Sequence, residues 1–233
     1  MELSKRLQAV ADFVSDGLTV ADVGTDHGYI PIYLIKTGKS SKVLAMDINE
    51  GPLSRAREHI AAHGLEHVID LRQSDGVKKL NAGEYDCVVI AGMGGALTVK
   101  ILEEGVAVFR KLKEFVLQPQ SELAKVRKYL CDHAYSIVAE NMVLEDGKFY
   151  PMMKVISGQG TTYNTIELCY GKRLLEQKHP VLKSFLKKEM ALKEHILQNL
   201  SGETGTHIET RKEELQGELE DIKYALQRYY SCD

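Results

Sequence analysis

The chain has 233 residues, 44% of them hydrophobic, and a net charge of −3; it is long enough for one full core with an appendage and carries no overall basic field. No stretch reaches the roughly 18 consecutive apolar residues of a membrane span, and MELSKRLQAV lacks the apolar core of a signal peptide, which predicts a cytoplasmic protein with no membrane partner. The four cysteines, Cys87, Cys131, Cys169 and Cys232, form no CxxC pair, which argues against a zinc ribbon or a disulfide scaffold and predicts reduced thiols, with Cys87 in the core.

An amphipathic helix is expected over residues 2–13. Apolar runs follow at 18–23, 42–47, 68–73, 85–92 and 114–119, alternating with helical patterns such as 52–64 and 121–134. That alternation predicts right-handed crossovers and a parallel sheet covered on both faces, a doubly wound α/β domain. Runs at 135–144 and 148–156, joined by Glu145, Asp146 and Gly147, predict an antiparallel hairpin that closes the sheet.

The small and polar residues SGQGTT mark a linker, so the chain divides into a domain of residues 1–157 and a helical domain of residues 163–233. Within the second, Pro180 suits a first helical position. Leu182, Phe185, Leu192 and Ile196 recur at heptad-like steps, as do Ile208, Leu215, Leu219, Ile222, Leu226 and Tyr229 beyond a turn at 201–207. The pattern predicts an antiparallel coiled-coil hairpin; plain helix packing would need the same stripes.

Chemistry concentrates where the predicted parallel strands end. VADVGTDHGYIP (residues 20–31) leaves a buried strand through Asp22, Gly24, Asp26, His27 and Gly28, a glycine-bearing turn suited to close approach of a ligand at the carboxyl edge of an open sheet. A dinucleotide site would place a glycine where Asp26 stands, and a carboxylate there repels a diphosphate but suits a cationic ligand such as S-adenosylmethionine. Asp47, in LAMDIN, either accepts the two hydroxyls of a ribose or caps the next helix. Asp75 and Gly76 either reach an adenine edge or make an ordinary turn. IAGMGG (residues 90–95) lets a planar substrate approach the backbone or a helix pack closely. The ordered series of acids at successive strand ends makes the set specific.

DVGTDHGYIP, AMDIN, SDG, IAGMGG, LQPQSE (Leu117 to Glu122) and GKFYPM (Gly147 to Met152), with the LSKRL opening and the helical tail, resemble the bacterial tRNA (adenine-N1)-methyltransferases that modify adenine 22. The resemblance spans nearly the whole chain. It implies a class I S-adenosylmethionine-dependent enzyme with a Rossmann-like domain and a carboxyl-terminal coiled-coil domain, acting on tRNA. It also implies cofactor contacts from Gly24, Asp26, His27, Asp47, Ile48, Asp75, Gly76 and the Gly92–Met93 backbone, with the IAGMGG loop facing the target base. No Asn-Pro-Pro-aromatic signature stands there, so neither a general base nor a stacking aromatic carries over from other nitrogen methyltransferases.

The candidate catalytic residues are therefore Asp26, to favour a cationic product ring, Tyr29, to stack on the base, and Met93; a helix-start Asp and a core Tyr are the structural alternatives. Lys5, Arg6, Gly94, Gly95, Gln118 and Pro119 are the candidates for substrate binding. Lys36, Lys39, Arg55, Arg57, Lys172 and Arg173 are further basic candidates for RNA contact. His59, His63 and His67 show four-residue spacing, but Gly64 should end their helix and no Cys or carboxylate joins them, so a solvated face and no metal are expected. Two rival functions remain: methylation of a small molecule or protein, and a non-catalytic cofactor-binding scaffold whose coiled coil recruits a partner. The chain is expected to be a monomer or a weak dimer.

Overall fold

Ser4 opens the first helix, α1 (Lys5–Phe13), by accepting a hydrogen bond from the Leu7 N–H at 3.3 Å, three residues later than the sequence pattern alone places it. The structure, a computed structural model, describes residues 2–203 and 205–231. Cys232 lies outside the described residues; Cys87, Cys131 and Cys169 carry free thiols, and Cys87 is fully buried.

Strands and helices then alternate, except that no helix separates β3 from β4 and two helices separate β4 from β5: β1 (Val20–Val23), α2 (Tyr29–Lys36), β2 (Val43–Asp47), α3 (Glu50–Ala62), β3 (Ile69–Gln73), β4 (Cys87–Met93), α4 (Gly95–Glu104), α5 (Val106–Phe109), β5 (Glu114–Pro119) and α6 (Leu123–Asp132). The hairpin β6 (Tyr135–Glu145) and β7 (Lys148–Ser157) follows, turning through Asp146 (φ 49°) and Gly147 (φ 73°). The seven strands form one sheet in the order β3-β2-β1-β4-β5-β7-β6, with β1 to β5 parallel and β7 antiparallel to β5. Every residue of β1 and of β5 is buried, as a parallel strand covered on both faces requires.

The order reverses between β1 and β4. A crevice opens at such a switch point, outside the carboxyl ends of the strands, and ligands of open α/β sheets bind there. β4 carries a bulge at this end: Ala91 pairs with Gln118 and Met93 with Pro119, while Gly92 between them takes φ 81°. Only a residue without Cβ takes that conformation cheaply, and the bulge re-aims the end of the strand.

At the far edge, Arg127 of α6 and Glu140 of β6 form an ion pair at 2.8 Å with side chains 1% and 0% exposed. It fixes α6 against the hairpin. The hairpin in turn reaches α1, because the Glu145 carboxylate accepts the Lys5 and Arg6 backbone N–H groups at 2.5 and 3.3 Å. A carboxylate at a helix N-terminus satisfies orphan donors and complements the dipole.

The chain divides into two units, Met1–Tyr163 and Asn164–Asp233. The second begins with α7 (Thr165–Tyr170), started by a reciprocal Asn164–Glu167 capping box, and α8 (Lys172–Glu176). α9 (Pro180–Leu200) has Pro180 in its first turn and runs antiparallel to α10 (Thr206–Tyr230), bridged by Lys193–Glu218 at 2.8 Å and Lys223–Glu194 at 3.5 Å. The seam differs from the heptads expected. Leu182 and Leu186 are buried on α9, but Leu192 is 49% exposed. The seam runs through Leu182 and Leu186 instead of Leu182 and Phe185, and at about 100° per residue position 192 lies roughly 80° from the first and 120° from the second, off the face they share.

Candidate active site

Asp22 is the next-to-last residue of the buried strand β1 and is 4% exposed; burial, and then the neighbouring Asp47 charge, push its carboxyl up to about 6. The following turn is tied to β2 by the N–H groups of Gly24 and Thr25, both donating to the Met46 carbonyl at 2.8 Å. Gly24 (φ 79°) is favoured because its backbone is left-handed; a Cβ would also stand 2.3 Å from the Met93 methyl and force that flexible side chain to move. Met93 thus reaches across from the end of β4 to the turn after β1.

His27 is left-handed (φ 61°) without being glycine, and Gly28 (φ 69°) follows as the cap of α2. Glycine takes that conformation freely, so the strain lies at His27 alone, a non-glycine left-handed residue of the kind that collects at ligand clamps. The His27 ring stacks on Tyr29 at 5.3 Å and on His59 at 5.3 Å, and His59 Nδ1 lies 3.0 Å from the His27 carbonyl oxygen. His59 therefore packs against the β1–α2 turn from α3, which corrects the expectation of a solvated face for it; His67 is exposed. His27 Nδ1 is buried and has no hydrogen-bond partner within the protein. Among the described residues no group of three His, Cys, Asp or Glu side chains is arranged to hold a metal.

Asp26 departs from what its charge alone implies. Its carboxylate is 64% exposed and accepts Arg55 Nη2 at 2.9 Å, with His27 Nε2 at 3.5 Å. An exposed carboxylate already paired with a guanidinium offers little field to a cation in the crevice. Arg55, a candidate for RNA contact, is occupied by the same bond. Lys39 is likewise paired with Asp16, Arg57 with Glu50, Lys172 with Glu167 and Arg173 with Glu176.

At the end of β2, Asp47 Oδ1 accepts the Asn49 N–H at 2.8 Å, and Ile48 is 54% exposed, a large apolar side chain left uncovered beside the carboxylate. Beyond β3, Ser74 N–H donates to the Asp47 carbonyl at 2.8 Å and brings Asp75 and Gly76 (φ 56°) to the same edge. The Lys78 ammonium on Asp75 lowers the Asp75 carboxyl, so it is ionised and accepting at neutral pH.

The IAGMGG loop divides into two functions. Gly92 faces the crevice, where a Cβ would meet Arg6 Nη1 at 3.5 Å. Gly95 is buried instead: its Cβ would collide with the Ser121 carbonyl at 2.4 Å, so it serves close packing and cannot face a substrate. Gly94 caps α4 next to Ser121 Oγ. The two loops are stitched by Gln120 N–H to the Met93 carbonyl at 2.8 Å, Gly95 N–H to Ser121 Oγ at 3.2 Å and Ala96 N–H to Glu122 at 3.1 Å.

Gln118 and Pro119, expected at the substrate, are both buried in β5. Gln118 Oε1 accepts Arg6 Nη1 at 3.0 Å. The open position is Gln120, which leaves the strand and lines the cavity; it lies in the quoted LQPQSE stretch, but only the end of β5 distinguishes it from Gln118. Arg6 is half-buried in the cavity, whereas Lys5 is exposed. The cavity has a volume of about 320 Å³, and Arg6, Asp22, Gly24, Asp26, Tyr29, Gly92 and Gln120 share its wall.

A model of the methyltransferase domain matches residues 3–153. The tRNA (adenine(22)-N(1))-methyltransferase of Bacillus subtilis is 34% identical over 232 residues, 96% of each chain. The chain belongs to the tRNA (adenine(22)-N(1))-methyltransferase family. Among solved structures, Sp1610 of Streptococcus pneumoniae in complex with S-adenosyl-L-methionine is 33% identical with a TM-score of 0.87, covering 97% of this chain and 100% of that one. TrmK of M. capricolum in complex with S-adenosyl-homocysteine is 25% identical with a TM-score of 0.85, covering 98% and 100%.

The residues at the crevice fit the cofactor that the family implies. Acids stand at the ends of β1 and β2 and beyond β3, an uncovered Ile48 follows Asp47, and Gly24 and Gly92 put backbone without a Cβ at the cavity wall, where a ligand must come close.

Proposed function

We propose that the protein transfers a methyl group from S-adenosylmethionine to N1 of adenine 22 in tRNA. The observation that carries it is the convergence of Asp22, Asp47 with Ile48, and Asp75 with Gly76 on one sheet edge, in a chain that matches the Bacillus subtilis enzyme over 96% of each. Asp47 holds the ribose hydroxyls, Ile48 covers one face of the adenine, Asp75 and Gly76 meet its edge, and Asp22 takes the ammonium. His27 and Gly28 shape the turn, and the Gly92–Met93 backbone closes the other side.

When bound, the cofactor supplies an electrophilic methyl group, which the lone pair of adenine N1 takes without prior deprotonation. The chain's own task is then alignment and electrostatics, not general base catalysis. Tyr29, half-buried in the cavity wall and braced by His27, offers a ring on which a base drawn out of its helix stacks. Asp26 is mostly neutralised by Arg55 and orients that pair more than it stabilises a cationic product. The exposed Lys5 and Lys36 serve tRNA phosphates; the chain acts in the cytoplasm as a monomer or a weak dimer.

Incubation with labelled S-adenosylmethionine and unmodified total bacterial tRNA, followed by nucleoside analysis, is expected to give 1-methyladenosine. Cofactor binding with no label in any RNA would move the substrate to a small molecule or protein, or leave a scaffold.

Cofactor binding should also depend on pH through Asp22. Its folded pKa of about 6 lies above the ordinary carboxylate value of 3.8, so below about pH 6 the apo protein holds a proton there that binding of an ammonium expels. Affinity for S-adenosylhomocysteine is therefore expected to be level above pH 6 and to fall about tenfold per unit below it. The same shift means that Asp22 costs stability as pH rises from about 4 to about 6, because the folded state binds the extra proton. Titration calorimetry from pH 5 to 8 checks the binding limb; equal affinity throughout contradicts a role for the Asp22 charge.

A further inference from the structure

Arg6 is held more firmly than a cation that only gathers phosphates. Its helix is anchored by the Glu145 carboxylate, and its Nη1 donates at 3.0 Å to Gln118, an amide with no exposed surface. Its guanidinium carbon lies 5.6 Å from the Tyr150 ring centroid, and Nη1 fills the space above Gly92. The cavity that receives this fixed cation also contains the buried carboxylate of Asp22.

A guanidinium and a carboxylate in one cavity are complementary to a zwitterion. Methylation makes the adenine ring cationic, so a guanidinium beside the reacting base would oppose the reaction; Arg6 must serve an anion. Two anions are available, the α-carboxylate at the methionyl end of the cofactor and a tRNA phosphate. A tRNA phosphate would reach a cation at the exposed rim of the cavity, and such a contact would show in the salt dependence of binding. Arg6 is half-buried, oriented by a buried amide and shares its cavity with the acid suited to the ammonium of the same amino-acid moiety.

We propose that Arg6 anchors the α-carboxylate of the cofactor's methionyl end, and that Gln118 is a positioning residue that fixes the guanidinium for it. The proposal rests on the methyltransferase function above. It makes the cavity selective for ligands that carry the amino-acid moiety over those that carry adenosine alone.

The test compares two ligands on the full chain by calorimetry: S-adenosylhomocysteine, which has the amino-acid moiety, and methylthioadenosine, which lacks it. Arg6→Gln is expected to weaken S-adenosylhomocysteine roughly ten- to hundredfold, the range of one charged hydrogen bond, and to leave methylthioadenosine within about twofold. Arg6→Lys should recover part of the loss, and Gln118→Leu should move the same ligand in the same direction by less. Equal losses for both ligands would assign Arg6 a structural role and overturn the proposal. Unchanged S-adenosylhomocysteine affinity with weakened tRNA binding and a shallower salt dependence would overturn it in favour of a phosphate contact. A wild-type chain that binds neither ligand would defeat the methyltransferase function and this assignment together, which separates that failure from a failure of Arg6 alone.

Discussion

Asp47→Ala is expected to weaken S-adenosylhomocysteine binding by ten- to hundredfold, to raise the KM for S-adenosylmethionine in proportion and to leave the fold intact. The carboxylate at the end of β2 uses Oδ1 to accept the Asn49 N–H at 2.8 Å and stands next to the uncovered Ile48 at the carboxyl edge of the sheet. Loss of charged hydrogen bonds to the ribose hydroxyls costs about 1.5–3 kcal/mol each, which gives the stated range from a single bond. Loss of the local turn alone costs about 1 kcal/mol of stability and nothing in binding. Thermal melts and calorimetry on the same preparation separate the two roles: a lower melting point with affinity kept within twofold would make Asp47 a cap and no more.

Glu140→Ala should have the largest effect on stability, about 3–5 kcal/mol, because it leaves the Arg127 guanidinium charged and buried. The consequence reaches the site through the hairpin. β6 carries Glu145, which holds the first turn of α1, and α1 presents Arg6 to the cavity. Chemical denaturation should show the loss in the midpoint. Replacing both partners by apolar residues of similar volume should restore most of it, since the cost lies in a buried charge deprived of its carboxylate and not in the absent attraction. A single variant within 1 kcal/mol of the parent would show that the pair is not buried as described.

The pattern of strands and the acids at their ends are local properties, and both were legible in the chain. Asp22, Asp47 and Asp75 each follow an apolar run, and the parallel sheet brings them to one edge by topology alone. The roles that could not be read depend on partners distant in sequence. Gly92 and Gly95 belong to one short glycine-rich run, yet the first faces the crevice and the second lies under Ser121, 26 residues away. Gln118 and Gln120 differ by two positions, but β5 buries the first and releases the second. Asp26 carries the charge expected of it, and only the fold brings Arg55 from α3 to neutralise it. His59 followed a spacing that spoke of its own helix, while its contacts are with the turn that holds His27. In the helical unit the apolar stripes gave two antiparallel helices correctly and missed the seam at Leu192, because the buried face of α9 passes through Leu186 and not Phe185, which only the packing partner decides.

The measurement closest to the central claim is methyl transfer to two transcripts of one tRNA, identical except that adenine 22 is replaced by uracil in the second. The account predicts stoichiometric label in the first, recovered as 1-methyladenosine, and none in the second. Equal label in both transcripts, or label recovered at another atom of adenine, would contradict it.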